Sequence, residues 1–171
     1  PGINHWNDTH PTTSVFSVGG YMADHADLTN PSTKIAYCFA NVTGYSKIGT
    51  YTGDGTTDGS KAITTGFLPA WVLIKGTSGA SHWQIWDTTR HPSNPNDNRL
   101  FPNLTDVEDV GSSYAIEITA TGFQIKHNGS DINTDGNSYL YMAFADTREA
   151  AFFKDVTTNG NHFTPVNLDY R

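Results

Sequence analysis

The sequence predicts an all-β protein, an antiparallel β-sandwich of jelly-roll or concanavalin-like form, on three observations. Sixteen glycines and many Ser, Thr, Asn and Asp residues punctuate 171 positions, as expected of short strands joined by frequent turns. Charged residues make up only 16% of the chain, a composition that argues against long solvent-facing helices. Short apolar and alternating runs recur between the turn formers, and eight such runs favour two packed antiparallel layers.

The expected strands are 13–18, 34–41, 45–52, 70–76, 82–87, 114–119, 122–127 and 138–145. The first two carry Val15 with Phe16 and the aromatic run KIAYCFA. Within that run Cys38, the single cysteine, reads as a small buried thiol, and one cysteine excludes an intrachain disulfide. Residues 45–52 lead into the glycine-rich YTGDGTTDG, and AWVLIKG is so continuously apolar that it reads as a central strand covered on both faces. HWQIWD alternates, with Trp83 and Ile85 on one side and His82, Gln84 and Trp86 on the other. The first pair is expected in the core, which turns Trp86 toward a surface. YAIEITATGFQIK reads as a hairpin turning near Thr121 and Gly122, with Glu117 on its polar side, and SYLYMAFA is the closing aromatic strand. The stretch from Thr88 to Ser113 holds three prolines and is the longest excursion, with a helical turn expected at DVEDV.

An imperfect repeat organises these elements. Residues 15–41 and 122–146 share an order: a short strand with Phe16 or Phe123, a polar loop, then an aromatic strand ending in Phe-Ala. Ile35, Phe39 and Ala40 fall opposite Leu140, Phe144 and Ala145. Three regions are therefore expected: 1–43 as the closing portion of a preceding unit, 44–146 as a complete sandwich unit, and 147–171 as a C-terminal extension for assembly. Because the chain opens on Pro1 rather than a methionine, it is read as a processed or trimmed product.

Net charge is -7 with no cluster of Lys and Arg, so a nucleic-acid partner is not expected. No segment has the length of a membrane span. In YTGDGTTDG, Asp54 and Asp58 offer too few ordered oxygens for an EF-type calcium loop, and the loop reads as a shaped strand connection. His82, Asp87 and His91 draw a weak metal or acid–base cluster, and neither a nucleophile elbow nor a carboxylate pair stands out. No catalytic residue, metal or cofactor is expected. The better candidate is a recognition surface of Gln84, Trp86, Asp87, Arg90, His91, Asn94 and Asn96, an aromatic ring among hydrogen-bonding side chains suited to a glycan. A candidate assembly surface is Phe152, Phe153, Phe163 and Tyr170.

PTTSVFSVG, IAYCFANVTGYSKIGTYTGDGTTDG, TTGFLPAWVLIKG, WQIWDTTRHPSNPNDNRLFPN, GFQIK and YLYMAFAD together resemble a domain recurring in structural proteins of marine tailed bacteriophages. The resemblance covers roughly residues 6–146, and Ile35 to Gly59 is its most specific phrase. It implies a jelly-roll or concanavalin-like sandwich in a noncatalytic virion protein, of a tail fibre or other external appendage, that assembles with other virion subunits or attaches to host surface glycans; the half-unit at 1–43, with edge strands and an incomplete apolar face to cover, points to a homo-oligomer. Capsid decoration and a lectin-like adhesin are the alternatives. It brings no catalytic residues, and the chain departs from the pattern after YLYMAFAD.

Overall fold

The computed structural model describes Thr9, 12–17, 37–111 and 113–146, and the chain divides into two units, residues 1–38 and 39–171. In the first, Thr12 and Val15 close a local turn: the Thr12 amide donates to the Val15 carbonyl at 2.8 Å, and the Thr12 hydroxyl accepts from the Val15 amide at 3.0 Å. Residues 13–17 form that turn and its exit, not the expected strand, because a side-chain hydroxyl takes the bonds a ladder would use.

The second unit is all-β among the described residues. Its strands are β1 Ser46–Thr52, β2 Ala62–Thr64, β3 Pro69–Gly76, β4 Trp83–Asp87, β5 Ile116–Thr119, β6 Gly122–Ile125 and β7 Ser138–Ala145. They form a four-stranded antiparallel sheet ordered β1-β7-β3-β4 and a three-stranded one ordered β2-β6-β5. Six of the eight expected strands are present within a few residues, and β2, three residues long, was too short to show a period. DVEDV forms no helix. Asp109 instead bridges Arg99, exchanging two backbone bonds of 3.0 Å.

Strand 34–41 is corrected where it is described. Residues 37–40 are exposed and outside any strand, so Cys38 is an exposed thiol. The following residues are held along β1 by a single backbone bridge, Val42 to Ser46, and by side chains: the Ser46 hydroxyl donates to the Ala40 carbonyl at 2.8 Å, and the Asn41 side-chain oxygen accepts from the Ile48 amide at 2.7 Å. The apolar run was legible, but β1 itself takes the place beside β7. Phe39 finds its contact edge-on to the Phe144 ring, with centroids 5.9 Å apart.

Alternation along β7 sorts the core. Tyr139, Tyr141 and Ala143 point inward with Val72 and Ile74 of β3 and with Gln84 and Trp86 of β4, all buried. Ile63, Phe123, Ile116 and Ile125 of the second sheet face them. Tyr51 stacks on Tyr139 at 5.0 Å, and Phe123 meets Tyr141 edge-on at 5.7 Å, geometries aromatic pairs prefer. Gly49 is required here, since a Cβ on it would lie 2.8 Å from the Tyr141 hydroxyl.

Buried tyrosine hydroxyls need partners, and they find them in the 126–137 loop. Tyr51 donates to the Ile132 carbonyl at 2.5 Å; Tyr139 donates to the Ser130 carbonyl and accepts from the Thr134 amide, each at 2.9 Å. That loop in turn clasps YTGDGTTDG through fully buried Asn133. Its amide nitrogen donates to Asp54 Oδ1 at 3.0 Å and the Thr56 carbonyl at 2.9 Å, while its oxygen accepts from the Asp54 amide at 3.1 Å. Replacing Asn133 with Ala strands those groups, and stability measured by urea unfolding is expected to fall by about 1–3 kcal/mol. A Gly53→Ala change should also destabilise, because its Cβ would stand 2.2 Å from the Thr134 carbonyl oxygen.

Candidate recognition surface

The seven expected recognition residues do not share a surface. Gln84, Trp86 and Asn96 are fully buried, which corrects their assignment. Trp86 donates from its indole nitrogen to the Tyr114 carbonyl at 3.2 Å, and Gln84 accepts from Arg99 Nη1 at 2.8 Å. The two tryptophans thus exchange places: Trp86 is core, and Trp83 is the exposed ring at 36%. Alternation separated them correctly, but a polar Gln84 on Trp86's side made that side read as the outer one. A buried arginine supplies a partner for the Gln84 oxygen, while Gln84 Nε2 is left without one among the described residues, and the arginine's own sequence position, in the proline-rich excursion, gave no signal of it.

Arg99 is the centre of this end of the sandwich. Its Nε donates to Asp109 Oδ2 at 2.8 Å, and its guanidinium lies over the Tyr114 ring at 3.7 Å and the Phe101 ring at 4.8 Å. An aromatic face and a carboxylate together offset the desolvation of a nearly buried cation. Tyr114 also packs on His127, with centroids 3.9 Å apart. Burial, with the nearby Arg99 charge, holds the His127 pKa below its ordinary value.

The remaining expected residues fasten the 87–99 segment to the sandwich. Asn94 is exposed yet pairs with β5 as a strand would, its side-chain nitrogen donating to the Ile118 carbonyl and its oxygen accepting from the Ile118 amide, each at 2.8 Å. Asn96 donates to the carbonyls of Asp87 at 2.8 Å and His91 at 3.1 Å. Asp87 accepts from the amides of Thr89 and Arg90 at 3.0 and 2.8 Å, and Arg90 is ion-paired with both Asp87 and Glu108. His91 faces Asp97 at 3.3 Å. Asn94, Asn96, Asp87 and Arg90 are thus occupied in holding the fold, whereas His91 Nδ1 is buried without a partner among the described residues. Phe152, Phe153, Phe163 and Tyr170 lie outside the described residues.

A different surface emerges on the outer face of the four-stranded sheet. The register aligns Ile48, Met142, Leu73 and Ile85 in one row across all four strands. Beside it run Ser46, Phe144, Trp71 and Asp87 on one flank and Thr50, Leu140, Lys75 and Trp83 on the other. Trp71 and Phe144 pack with ring centroids 5.6 Å apart. Leu73 is buried, and Ile48, Ile85, Leu140, Met142, Phe144 and Trp71 are half-buried. At the Trp83 corner, the Asn103 side chain accepts from the Trp83 amide at 2.9 Å, and His82 meets the Phe101 ring edge-on at 6.1 Å. A separate open groove of 470 Å³ is bordered by Gly44, Phe67, Leu68, Ala145 and Asp146.

Glu117 lies on the outer side of the smaller sheet and pairs with Lys126 at 2.6 Å. Among the described residues no three His, Cys, Asp or Glu side chains gather as a metal-binding group. In YTGDGTTDG, Asp54 Oδ1 accepts from the Thr56 amide at 3.0 Å, the Thr56 hydroxyl at 2.8 Å and Asn133 at 3.0 Å, and Asp58 Oδ1 accepts from the Ser60 amide at 2.8 Å.

The chain matches Domain of unknown function (DUF7483) over residues 2–148. It belongs to that family. No curated protein and no solved structure matches it. The family match takes in both units' described residues and every strand of the sandwich and stops short of residues 149–171.

Because the loop carboxylates are engaged by donors of the loop itself and by Asn133, melting curves recorded with excess calcium and with chelator are expected to coincide. Desolvation of Asp54 raises its pKa, but the bonds from Thr56 and Asn133 with the Lys61 charge outweigh it and hold the carboxyl below its ordinary value of 3.8. A depressed folded pKa contributes stability above the ordinary value and loses it as pH falls through the folded one. The stability gap between the wild type and Asp54→Asn, read by chemical unfolding across pH, should be full at neutrality and shrink only below the ordinary carboxylate range.

Proposed function

We propose that this protein is a noncatalytic assembly module of a phage virion appendage, of the tail-fibre kind, which associates with further copies of itself through the outer face of its four-stranded sheet. The observation that carries the reading is the apolar row Ile48, Met142, Leu73 and Ile85, flanked by Trp71, Phe144, Leu140 and Trp83. A two-layer sandwich asks each sheet to bury one face, and its other face is ordinarily polar. The smaller sheet follows that rule, with Gln124 opposite Glu117 and Ala62 on its outer side. The larger sheet does not, and contiguous apolar surface of this kind marks association sites. The virion setting rests on the resemblance of the Ile35 to Gly59 phrase to phage structural proteins. Decoration of a capsid would use the same face in another part of the particle.

A second reading, attachment to a surface glycan, is favoured by Trp83, which is exposed and whose backbone amide donates to the Asn103 side chain, itself bonded to His82. Fluorescence titration of the wild type and Trp83→Ala with host surface polysaccharide separates it: saturable quenching lost in the variant supports attachment, and no change in either sets it aside.

The assembly reading is tested by light scattering coupled to size-exclusion chromatography over a wide concentration range. The full chain is expected to associate as concentration rises, and a double Ile85→Lys and Met142→Lys variant, with an unchanged circular dichroism spectrum, to stay monomeric. A deletion after Asp146 run alongside tells whether residues 147–171 contribute. A full chain that remains monomeric at every concentration would remove self-association from the account.

A further inference from the structure

The segment Lys126–Ser130 leaves β6 without regular structure and carries the sequence His127-Asn128-Gly129. Asn128 is exposed. The Gly129 amide donates to His127 Nδ1 at 2.8 Å, so the imidazole curls around Asn128 and meets the one amide nitrogen that can reach the Asn128 carboxamide. We propose that Asn128–Gly129 is a self-modification site, at which the Gly129 nitrogen attacks Asn128 Cγ with His127 as the base.

The step balances within the chain and solvent. The Gly129 nitrogen forms a bond to Asn128 Cγ as its proton passes to His127 Nδ1. The imidazolium returns that proton to the departing amide nitrogen, the Cγ–N bond breaks, and ammonia leaves a five-membered succinimide. Water then opens the ring at either carbonyl, giving aspartate or isoaspartate. The net change is one amide and one water converted to one carboxylic acid and ammonia.

Three features support the chemistry. Glycine has no Cβ to hinder attack, and the fold requires glycine at this position: a Cβ on Gly129 would stand 2.3 Å from Tyr114 Cε1. A base within hydrogen-bond reach of the proton it removes meets the geometric condition for general-base catalysis. Accepting from Gly129 requires Nδ1 to be unprotonated, and burial with the Arg99 charge favours the neutral ring. The groups around that ring are the Tyr114 face, Arg99 with its partner Asp109, and the Lys126–Glu117 pair next along the chain. A cationic Arg99 opposes protonation of His127, and Asp109 tempers that effect.

The test ages the full chain at neutral pH and maps its peptides by mass spectrometry, with electron-transfer fragmentation to distinguish isoaspartate from aspartate at Asn128. The native chain is expected to convert roughly tenfold faster than the same chain held in denaturant, a modest share of what a positioned base contributes. His127→Phe should remove that excess. A pH profile on the wild type provides a readout that needs no variant. Dependence on His127 makes the rate level off above the histidine titration, whereas simple hydroxide catalysis makes it climb through the whole range. Native conversion no faster than in the unfolded chain, or a rate still rising with pH beyond the histidine range, overturns the proposal.

Discussion

The inward parity of β7 is the constraint on which the rest of this structure depends. Placing Tyr139, Tyr141 and Ala143 inside commits both neighbours, since direct cross-strand partners share a face. Tyr51 and Gly49 of β1 and Val72 and Ile74 of β3 must then face inward, and through β3 so must Trp86 and Gln84. Slipping any strand by one residue would move its whole apolar set to the other side. Because both sides of this sheet are rich in apolar residues, hydrophobicity alone does not choose the register. The tyrosine hydroxyls do: only in this parity do Tyr51 and Tyr139 reach the Ile132, Ser130 and Thr134 backbone. Leaving such groups unpaired in the core would cost more than a small difference in buried area.

From that choice follow the loops and the outer surface. The bonds from Tyr51 and Tyr139 pull the 126–137 loop over the end of the sandwich, and Asn133 then shapes YTGDGTTDG, so the aspartates of that loop serve local donors. Burying Gln84 requires a partner, which draws Arg99 inward together with Asp109 and Tyr114. The residues left on the outer side include Trp71, Leu73, Ile85, Met142 and Phe144. An apolar outer face is thus a consequence of the same alternation that builds the core, and it is the face on which the proposed association rests.

Much of the fold was legible in the sequence because strand periodicity is a local signal. AWVLIKG read as a central strand and SYLYMAFA as the closing aromatic strand, and they are the two central members of the larger sheet, although Trp71 on the outer side of the first is only half-buried. The hairpin at Thr121 and Gly122 was equally clear, while AIT was too brief to show alternation. The described part of KIAYCFA, residues 37–40, misled because β propensity needs a neighbour to pair with, and β1 occupies that place. The candidate site was less legible. HWQIWD showed that its tryptophans part, but the choice of inner face lay in Arg99 and Tyr114, distant in sequence. Asn94 and Asn96 looked like recognition groups and prove to be backbone partners of β5 and of the 87–91 turn. Polar side chains in a long excursion have backbone to satisfy first, and no spacing in one sequence tells which task each performs.

The proposed self-association puts the outer face of the four-stranded sheet against another copy of the chain. A photo-crosslinking residue placed at Met142, at the middle of the apolar row and half-buried, reports directly on what lies there. Irradiation of the associated protein should yield covalent dimers whose linked peptides include Met142 and a segment of the same face in a second chain, identified by mixing isotope-labelled and unlabelled protein. Crosslinks confined to a single chain, with no mixed-isotope product, would show that this face does not meet a second copy.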